Sequence, residues 1–118
     1  MPQITVDYSA DLAGDFDRPG FAKALHEATV EIAAAQPPAC KSRFRPTEDI
    51  VVGPETAGHA HVHIHIALLA GRTDEVKARL TQAALELLRA HLKPAEGLTL
   101  HASAEVRDLD PSYAKFES

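Results

Sequence analysis

The clearest pattern in the chain is an alternation of histidine and aliphatic residues that begins at position 59. A period of two places the two sets of side chains on opposite faces of a β-strand. The apolar run 67–70 continues this strand and suits burial on both faces. The pattern therefore predicts a strand with one apolar face and one face that carries His59, His61, His63 and His65.

A helix is predicted directly after this strand. Gly71 and Arg72 interrupt the strand, and Thr73 is a favourable N-cap. Acidic residues at 74 and 75 complement the positive end of the helix dipole. Pro94 and Gly97 are expected to end the helix. One face of it is marked by residues that recur every three or four positions, namely Val76, Leu80, Ala83, Ala84, Leu87 and His91.

The remaining segments predict three more strands and one more helix. A strand over 1–9 carries Ile4, Val6 and Tyr8 on one face, and residues 11–18 form a polar loop. A helix from Pro19-Gly20 to about Gln36 has its apolar stripe at Phe21, Leu25, Ala28 and Ile32. A strand over 39–45 is interrupted by Pro46, and extended chain resumes over 49–52. The last strand covers 98–109, and Tyr113 and Phe116 in the tail are expected to dock on a neighbouring subunit.

This order of elements predicts one α+β domain over 1–118 built from two fused β-α-β units, about 1–53 and about 59–109, with a tail at 110–118. A helical crossover joins parallel strands and is right-handed. The expected fold is a four-stranded mixed sheet with two helices on one face. The helix-free face carries histidines and cations that are too polar for a dry core. An oligomer in which several such faces surround a central, partly hydrated space would cover it.

Composition narrows the class of protein. A net charge of −5 argues against a general role in binding nucleic acid or anionic membranes. The single Cys40 rules out an internal disulfide and fits a reducing, cytoplasmic location. The N-terminal residues do not resemble a signal peptide, and no apolar run approaches membrane-spanning length. Alanine supplies much of the 45% hydrophobic content and aromatics only 5%, so part of the apolar surface is expected to lie between subunits.

Several motifs together carry a resemblance to a known family. Residues 69–75 resemble the start of a 4-oxalocrotonate tautomerase subunit, a single β-α-β unit with an arginine after its first strand. The whole chain resembles 5-carboxymethyl-2-hydroxymuconate Δ-isomerase, the fused two-unit member of the tautomerase superfamily. The resemblance implies a homotrimer, no cofactor and an N-terminal proline as catalytic base. Its motifs here are Met1-Pro2, Pro19-Gly20, Ser42-Arg43, His63, Ala70-Gly71-Arg72, and Leu109 with Pro111.

Pro2 could carry out proton transfer if Met1 is removed, because its nitrogen would then be a free secondary amine. An α-amino group has a pKa near ~8, and an apolar pocket with nearby cations lowers it. The neutral amine could then take a proton from a dienol hydroxyl and return one to carbon. The alternative interpretation is that Met1-Pro2 is simply a common start for a strand.

Four cationic residues are candidates for binding the substrate. Arg72 lies at a helix N-terminus, where it could bind a carboxylate and polarise a 2-oxo group, or it could merely pair with Asp74 or Glu75. Lys41, Arg43 and Arg45 share a strand face and suit a substrate with several carboxylates, unless Asp49 and Glu105 neutralise them. The resemblance implies an arginine where Lys41 stands, and lysine lacks the planar fork of arginine.

Three alternatives remain open at this stage. Histidines two apart on a strand can share a metal ion, but no cysteine or carboxylate ligand is evident nearby, so we predict no functional metal. The protein could be a tautomerase that acts on a smaller 2-oxo acid, such as a phenylpyruvate-type enol. It could also be a non-catalytic trimer that binds carboxylates or metal, which retention of Met1 would favour.

Overall fold

The computed structural model describes residues 2–118, which form two strand–helix–strand units in succession. The first unit contains β1 (Gln3–Ser9), α1 (Arg18–Ala33) and β2 (Lys41–Thr47). The second unit contains β3 (His59–Leu68), α2 (Asp74–His91) and β4 (Thr99–Asp108). Short 3-10 helices cover Ala10–Asp15 and Pro37–Ala39. Met1, the first residue of the predicted N-terminal strand, lies outside the described residues.

The four strands form one mixed sheet in the order β2-β1-β3-β4. Strands are parallel within each unit, and the two units meet where β1 pairs with β3 in antiparallel fashion. Both helices pack on the same face and contact each other. The predicted four-stranded mixed sheet with two helices on one face is therefore confirmed.

The core lies between this face of the sheet and the two helices. Ile4, Val6 and Tyr8 of β1 are buried, as predicted. In β3 the aliphatic residues between the histidines are buried as well. Opposite them, α2 buries Leu80, Ala84 and Leu88. The period-two pattern thus identified the core of the strands correctly. In α2 the predicted Leu80 and Ala84 are buried, but Leu88 was not predicted, and the remaining predicted residues are only half-buried, namely Val76, Ala83, Leu87 and His91.

The caps of the two helices explain where they begin. Thr73 is the N-cap of α2, and its side chain accepts a hydrogen bond from Val76 N at 3.2 Å, as predicted. Asp17 is the N-cap of α1, and its side chain accepts a hydrogen bond from Gly20 N at 3.1 Å. No helix among residues 2–118 is long and apolar enough to cross a membrane.

Two predictions for the first unit were wrong about apolar packing. The segment predicted as a polar loop over 11–18 is largely a 3-10 helix, and it buries Leu12 and Phe16. Helix α1 ends at Ala33 rather than Gln36, because Ala34 adopts a left-handed conformation with φ 57°. Its buried stripe is consequently Phe21, Leu25, Thr29 and Ala33, so the predicted Ala28 and Ile32 are only half-buried.

Two further predictions concerned the chain around Pro46. Pro46 lies within β2 and does not interrupt it. This is tolerated because β2 is an edge strand, where one row of backbone groups needs no partner in the sheet. Residues 49–52 do not form a strand, apart from an isolated bridge between Val52 and Glu55.

Candidate active site

All four strands present polar side chains on the sheet face that is not covered by helices, which we call the open face. Strand alternation places the histidines of β3 there, because the aliphatic residues of β3 are buried on the other side. Cross-strand pairing aligns the neighbouring rows with them. The open face therefore carries Lys41, Arg43, Arg45, Gln3, Thr5, Asp7, His59, His61, His63, His65, His101, Ser103 and Glu105.

Pro2 lies buried at one end of the sheet, directly beside the start of β2. The backbone N–H of Lys41 donates to the Pro2 carbonyl oxygen at 3.2 Å. Gln3 pairs with Lys41 on one side and with Ala67 on the other. Because β3 runs antiparallel to β1, the turn that carries Arg72 follows at this same end. We call this end of the sheet the Pro2 end.

Arg72 connects the two units at the Pro2 end. Its Nε donates to the Ala33 carbonyl oxygen at 2.9 Å, and its Nη1 donates to the Leu69 carbonyl oxygen at 3.1 Å. The first of these carbonyls belongs to the last residue of α1, which leaves its carbonyl without an intrahelical partner. Among residues 2–118, Arg72 forms no ion pair with the predicted alternative partners at 74 and 75. The guanidinium is held by backbone groups rather than by acids.

Lys41 contacts the C-terminal tail. Its Nζ donates to the Ala39 carbonyl oxygen at 3.4 Å and lies 3.9 Å from Oε2 of Glu117. Nearby, Gln3 Nε2 donates to the hydroxyl oxygen of Tyr113 at 3.3 Å. The tail therefore runs across the Pro2 end of its own chain. A groove of about 340 Å³ opens there, lined by Gln36, Pro38, Ala39, Lys115 and Glu117.

Arg43 and Arg45 lie further along β2 and have other partners. Arg43 Nη2 donates to Thr5 Oγ1 at 3.2 Å, whereas Arg45 forms a bidentate pair with Asp7 at 2.7 and 3.0 Å. The hydrogen bond from Arg45 holds the pKa of Asp7 below its usual value. Arg45 is four residues from Lys41, about 13 Å along an extended strand. Within one chain, Arg45 thus lies away from the Pro2 end.

The acids expected to neutralise these cations were identified wrongly. Glu105 instead lies 3.3 Å from His63 Nε2, while His63 Nδ1 lies 2.7 Å from Ser103 Oγ. Neither Glu105 nor Asp49 forms an ion pair with a cation of β2 among residues 2–118. The relevant partner of Arg45, Asp7, lies on the adjacent strand, and only the register of β1 against β2 reveals it.

Two residues near the site were not predicted from the sequence to belong to it. His26 of α1 places Nε2 at 2.7 Å from Ser42 Oγ of β2, and burial lowers the pKa of this histidine. Cys40, which precedes Lys41, is buried, and burial raises the pKa of its thiol. The thiol is therefore protonated at neutral pH and contributes apolar surface rather than charge.

Comparison with known proteins adds two findings. The sequence profile of the family described as CHMI: 5-carboxymethyl-2-hydroxymuconate isomerase matches residues 2–117. No curated protein matches this chain in sequence.

Solved structures of similar fold cover nearly the whole chain. A fused 4-OT described as a wild-type symmetric trimer has a TM-score of 0.77 at 20% identity, covering 98% of this chain and 93% of its own. A 5-carboxymethyl-2-hydroxymuconate isomerase from Deinococcus radiodurans R1 has a TM-score of 0.77 at 20% identity, covering 98% and 90%. A macrophage migration inhibitory factor-like protein from Entamoeba histolytica has a TM-score of 0.71 at 13% identity, covering 98% and 95%. These likenesses establish a shared fold.

Proposed function

Because this chain is an isomerase that belongs to the 5-carboxymethyl-2-hydroxymuconate isomerase family, we propose that it converts the dienol 5-carboxymethyl-2-hydroxymuconate to its 2-oxo-3-ene isomer. The match of the family profile to residues 2–117 is the observation that carries this proposal. The reaction belongs to the degradation of homoprotocatechuate, and the proposed mechanism needs no cofactor. The protein would act in the cytoplasm.

In the proposed mechanism, Pro2 moves the proton after removal of Met1. The neutral amine takes the proton from the 2-hydroxyl of the dienol and returns one to carbon, so no other reactant is required. Its buried position supports this role, because burial lowers the pKa of an amine. A lowered pKa makes the neutral base available at physiological pH.

Arg72 would bind the 2-oxo acid end of the substrate in this mechanism. Backbone carbonyls hold its Nε and Nη1, which fixes the plane of the guanidinium without neutralising its charge. Negative charge on the carbonyl oxygen is greatest in the transition state, so a fixed cation there accelerates the reaction. The N-terminus of α2 lies next to Arg72 and favours anions as well.

We assign the remaining carboxylates of the substrate to the cations of β2. Lys41 is closest to Pro2, so we propose that it anchors a remote carboxylate in place of Glu117. Within residues 2–118, Arg43 pairs only with a neutral hydroxyl, and it would be the second anchor. Arg45 has the weakest support within one chain because Asp7 already neutralises it. Its role would depend on a neighbouring subunit.

We also propose that three chains assemble into the functional unit. The open face is polar, and Phe116 of the tail is 87% exposed, so a single chain leaves both without cover. Among residues 2–118, β2 and β4 each pair along one edge only. The symmetric trimer formed by the fused 4-OT of similar fold supports this stoichiometry. Light scattering at micromolar concentration should give the mass of three 12.7 kDa chains, and a monodisperse monomer would refute the assembly.

The first experiment combines intact mass with a pH profile. Purified protein should lack one methionine, and kcat/KM for 5-carboxymethyl-2-hydroxymuconate should rise with pH and level off near neutrality. A protein that retains Met1 has a tertiary amide at Pro2 and should be inactive. Activity that keeps rising well above pH 9, or full activity with Met1 retained, would refute Pro2 as the base.

A second assay separates the two alternative functions. A monocarboxylate enol of the phenylpyruvate type should be a poor substrate, because Lys41 and Arg43 would have no carboxylate to bind. If the monocarboxylate is the better substrate, the protein is a tautomerase of smaller 2-oxo acids. If neither compound is turned over but both bind to the Met1-free protein, it is a non-catalytic carboxylate-binding homologue.

A further inference from the structure

The end of the sheet opposite the Pro2 end contains a chain of three titratable side chains. Nδ1 of His59 lies 2.9 Å from Nε2 of His101 across β3 and β4. Nε2 of His59 lies 3.0 Å from Oε1 of Glu55 in the preceding loop. The side chain of His59 is only 18% exposed. We call these three residues the His59 cluster.

The loop before β3 positions Glu55 for this contact. Val52 and Glu55 exchange backbone hydrogen bonds of 2.9 Å in both directions, which closes a tight turn over Gly53 and Pro54. Gly53 has φ 56°, a left-handed conformation that favours glycine in such a turn. The turn therefore places the backbone of Glu55 just before β3, and its side chain, which is 64% exposed, contacts His59 from there.

The contact with Glu55 decides which nitrogen of His59 carries the proton. A carboxylate accepts hydrogen bonds, so Nε2 of His59 carries the hydrogen and Nδ1 presents its lone pair to His101. Carboxylates and carbonyls orient metal-binding histidines in this same way. In the metal-free chain, a proton on Nε2 of His101 fills the space between the two nitrogens.

We propose that His59 and His101 together bind one divalent transition metal ion such as Zn²⁺, with Glu55 orienting His59. Two imidazole nitrogens at ordinary Zn–N distances around a tetrahedral ion lie about 3.3 Å apart. The two nitrogens are 2.9 Å apart, so they would need to separate only slightly to bind the ion. Among residues 2–118, no three His, Cys, Asp or Glu side chains converge as a metal site, so water completes the coordination.

The imidazole ligands determine which class of metal ion the site would bind. Neutral imidazole suits zinc, nickel and copper, whereas calcium and magnesium require several oxygen ligands. Glu55 supplies one negative charge beside the pair, which favours a cation. The cluster begins β3, and Pro2 lies at the far end of that strand, nine residues or about 30 Å away in one chain. Within one chain the proposed site is therefore separate from the one proposed for the isomerase.

Titration of chelator-treated protein with Zn²⁺ alone, followed by calorimetry, tests this proposal. The protein should bind one ion per chain, and His59→Asn and His101→Asn should each weaken binding at least about tenfold. Glu55→Gln should weaken binding by about 10- to 100-fold while both ligands remain, as expected for loss of an orienting partner. His65→Asn is the matched control, because it removes an open-face histidine outside the cluster.

The visible absorption of bound Co²⁺ provides a second readout, which reports the ligand atoms directly. Wild-type protein and the control should give the visible absorption of Co²⁺ bound through imidazole nitrogen, and His101→Gln, a conservative change, should lose it. Equal loss in His65→Asn, or wild-type binding no tighter than that of the His59→Asn variant, would show an adventitious ion only. Either result would overturn the assignment.

Discussion

The two β-α-β units share one architecture but place different chemistry at corresponding positions. Gln3 begins β1 opposite Lys41, and His59 begins β3 opposite Thr99, so these pairs are equivalent in the two units. Two residues further along, Arg43 of the first unit corresponds to His101 of the second. At this position the first unit thus has a cation where the second has an imidazole. The backbone is alike in both units, and the side chains alone distinguish the end proposed to bind anions from the end proposed to bind metal.

The helices of the two units are also joined to their sheet strands by different polar contacts. In the first unit, His26 of α1 contacts Ser42 of β2 at 2.7 Å. In the second, Lys77 of α2 contacts Asp108 of β4 at 2.9 Å as an ion pair. The first contact depends on a histidine whose pKa is lowered by burial, whereas the second contains no histidine. The two units should therefore respond differently to pH.

Arg72 is the exception to this division, because its position in the sequence and its contacts belong to different units. It follows β3 of the second unit but donates to the last carbonyl of α1 in the first. It therefore joins the two units as well as being the proposed electrophilic cation. Among the substitutions we propose, that of Arg72 should therefore have the largest effect on activity.

Arg72→Ala should lower kcat by about 100-fold, near 3 kcal/mol, because it removes a fixed cation from the developing oxyanion. It should also lower the free energy of unfolding by about 1 kcal/mol, since the Ala33 carbonyl loses its donor. Steady-state kinetics and urea unfolding of the same variant separate the two effects. A variant with reduced stability but wild-type kcat and KM would show that Arg72 only connects the units.

The sequence predicted the second unit better than the first, for a physical reason. In β3 and α2, the alternating histidines and Thr73 are local signals, and both lead to the observed elements. In the first unit, Leu12 and Phe16 are isolated apolar residues among polar ones, so no periodicity reveals that they are buried. Pro46 is compatible with a strand only because β2 is at the edge, which is a property of the whole sheet.

The same distinction applies to the candidate site. Pro2, Lys41 and Arg72 could be singled out from local motifs and from the resemblance to a family. The pairing of Arg45 with Asp7 could not, because it depends on the register of two strands 38 residues apart. The contact of Arg72 with Ala33 likewise depends on where α1 ends. The sequence thus indicated which residues belong to the candidate site, but tertiary structure determines which partner each of them contacts.

Lys41 should affect binding rather than chemistry, in contrast to Arg72. Lys41→Ala should raise KM for the tricarboxylate about tenfold with little change in kcat, because the lost contact is equally strong in the ground and transition states. Lys41→Arg should restore or improve binding, since arginine offers a bidentate fork. Arg45→Ala is the matched control and should have less effect, because Asp7 already neutralises Arg45. A fall in kcat with unchanged KM would place Lys41 among the groups that act on the transition state.

The N-caps of the two helices allow equivalent substitutions to be compared, with smaller expected effects. Thr73→Ala and Asp17→Ala should each lower the free energy of unfolding by about 1 kcal/mol, because each removes one acceptor from a helix N-terminus. Only Thr73→Ala should also reduce kcat, since Thr73 follows Arg72 directly and fixes the start of α2 beside it. Thermal unfolding and kinetics on both variants check this. Equal loss of kcat in both would mean that the units do not differ in their contribution to catalysis.

The smallest expected effect is a pH dependence confined to the first unit. Burial lowers the pKa of His26 in the folded protein, whereas in the unfolded chain it stays near 6.5. As the pH falls below about 6.5, the unfolded state therefore binds the proton first, and stability decreases until the pH passes the folded pKa. The loss should stay below about 1 kcal/mol, because solvent screens this half-buried group.

Urea unfolding at pH 7.5 and 5.5 measures this difference against two variants. His26→Gln can keep a hydrogen bond to Ser42 but cannot titrate, so part of the wild-type decrease in stability should disappear. Lys77→Met breaks the corresponding contact of the second unit and should leave the decrease unchanged, because that contact contains no histidine. If His26→Gln retains the full decrease, the titrating group lies elsewhere, and the histidines of the open face become the candidates.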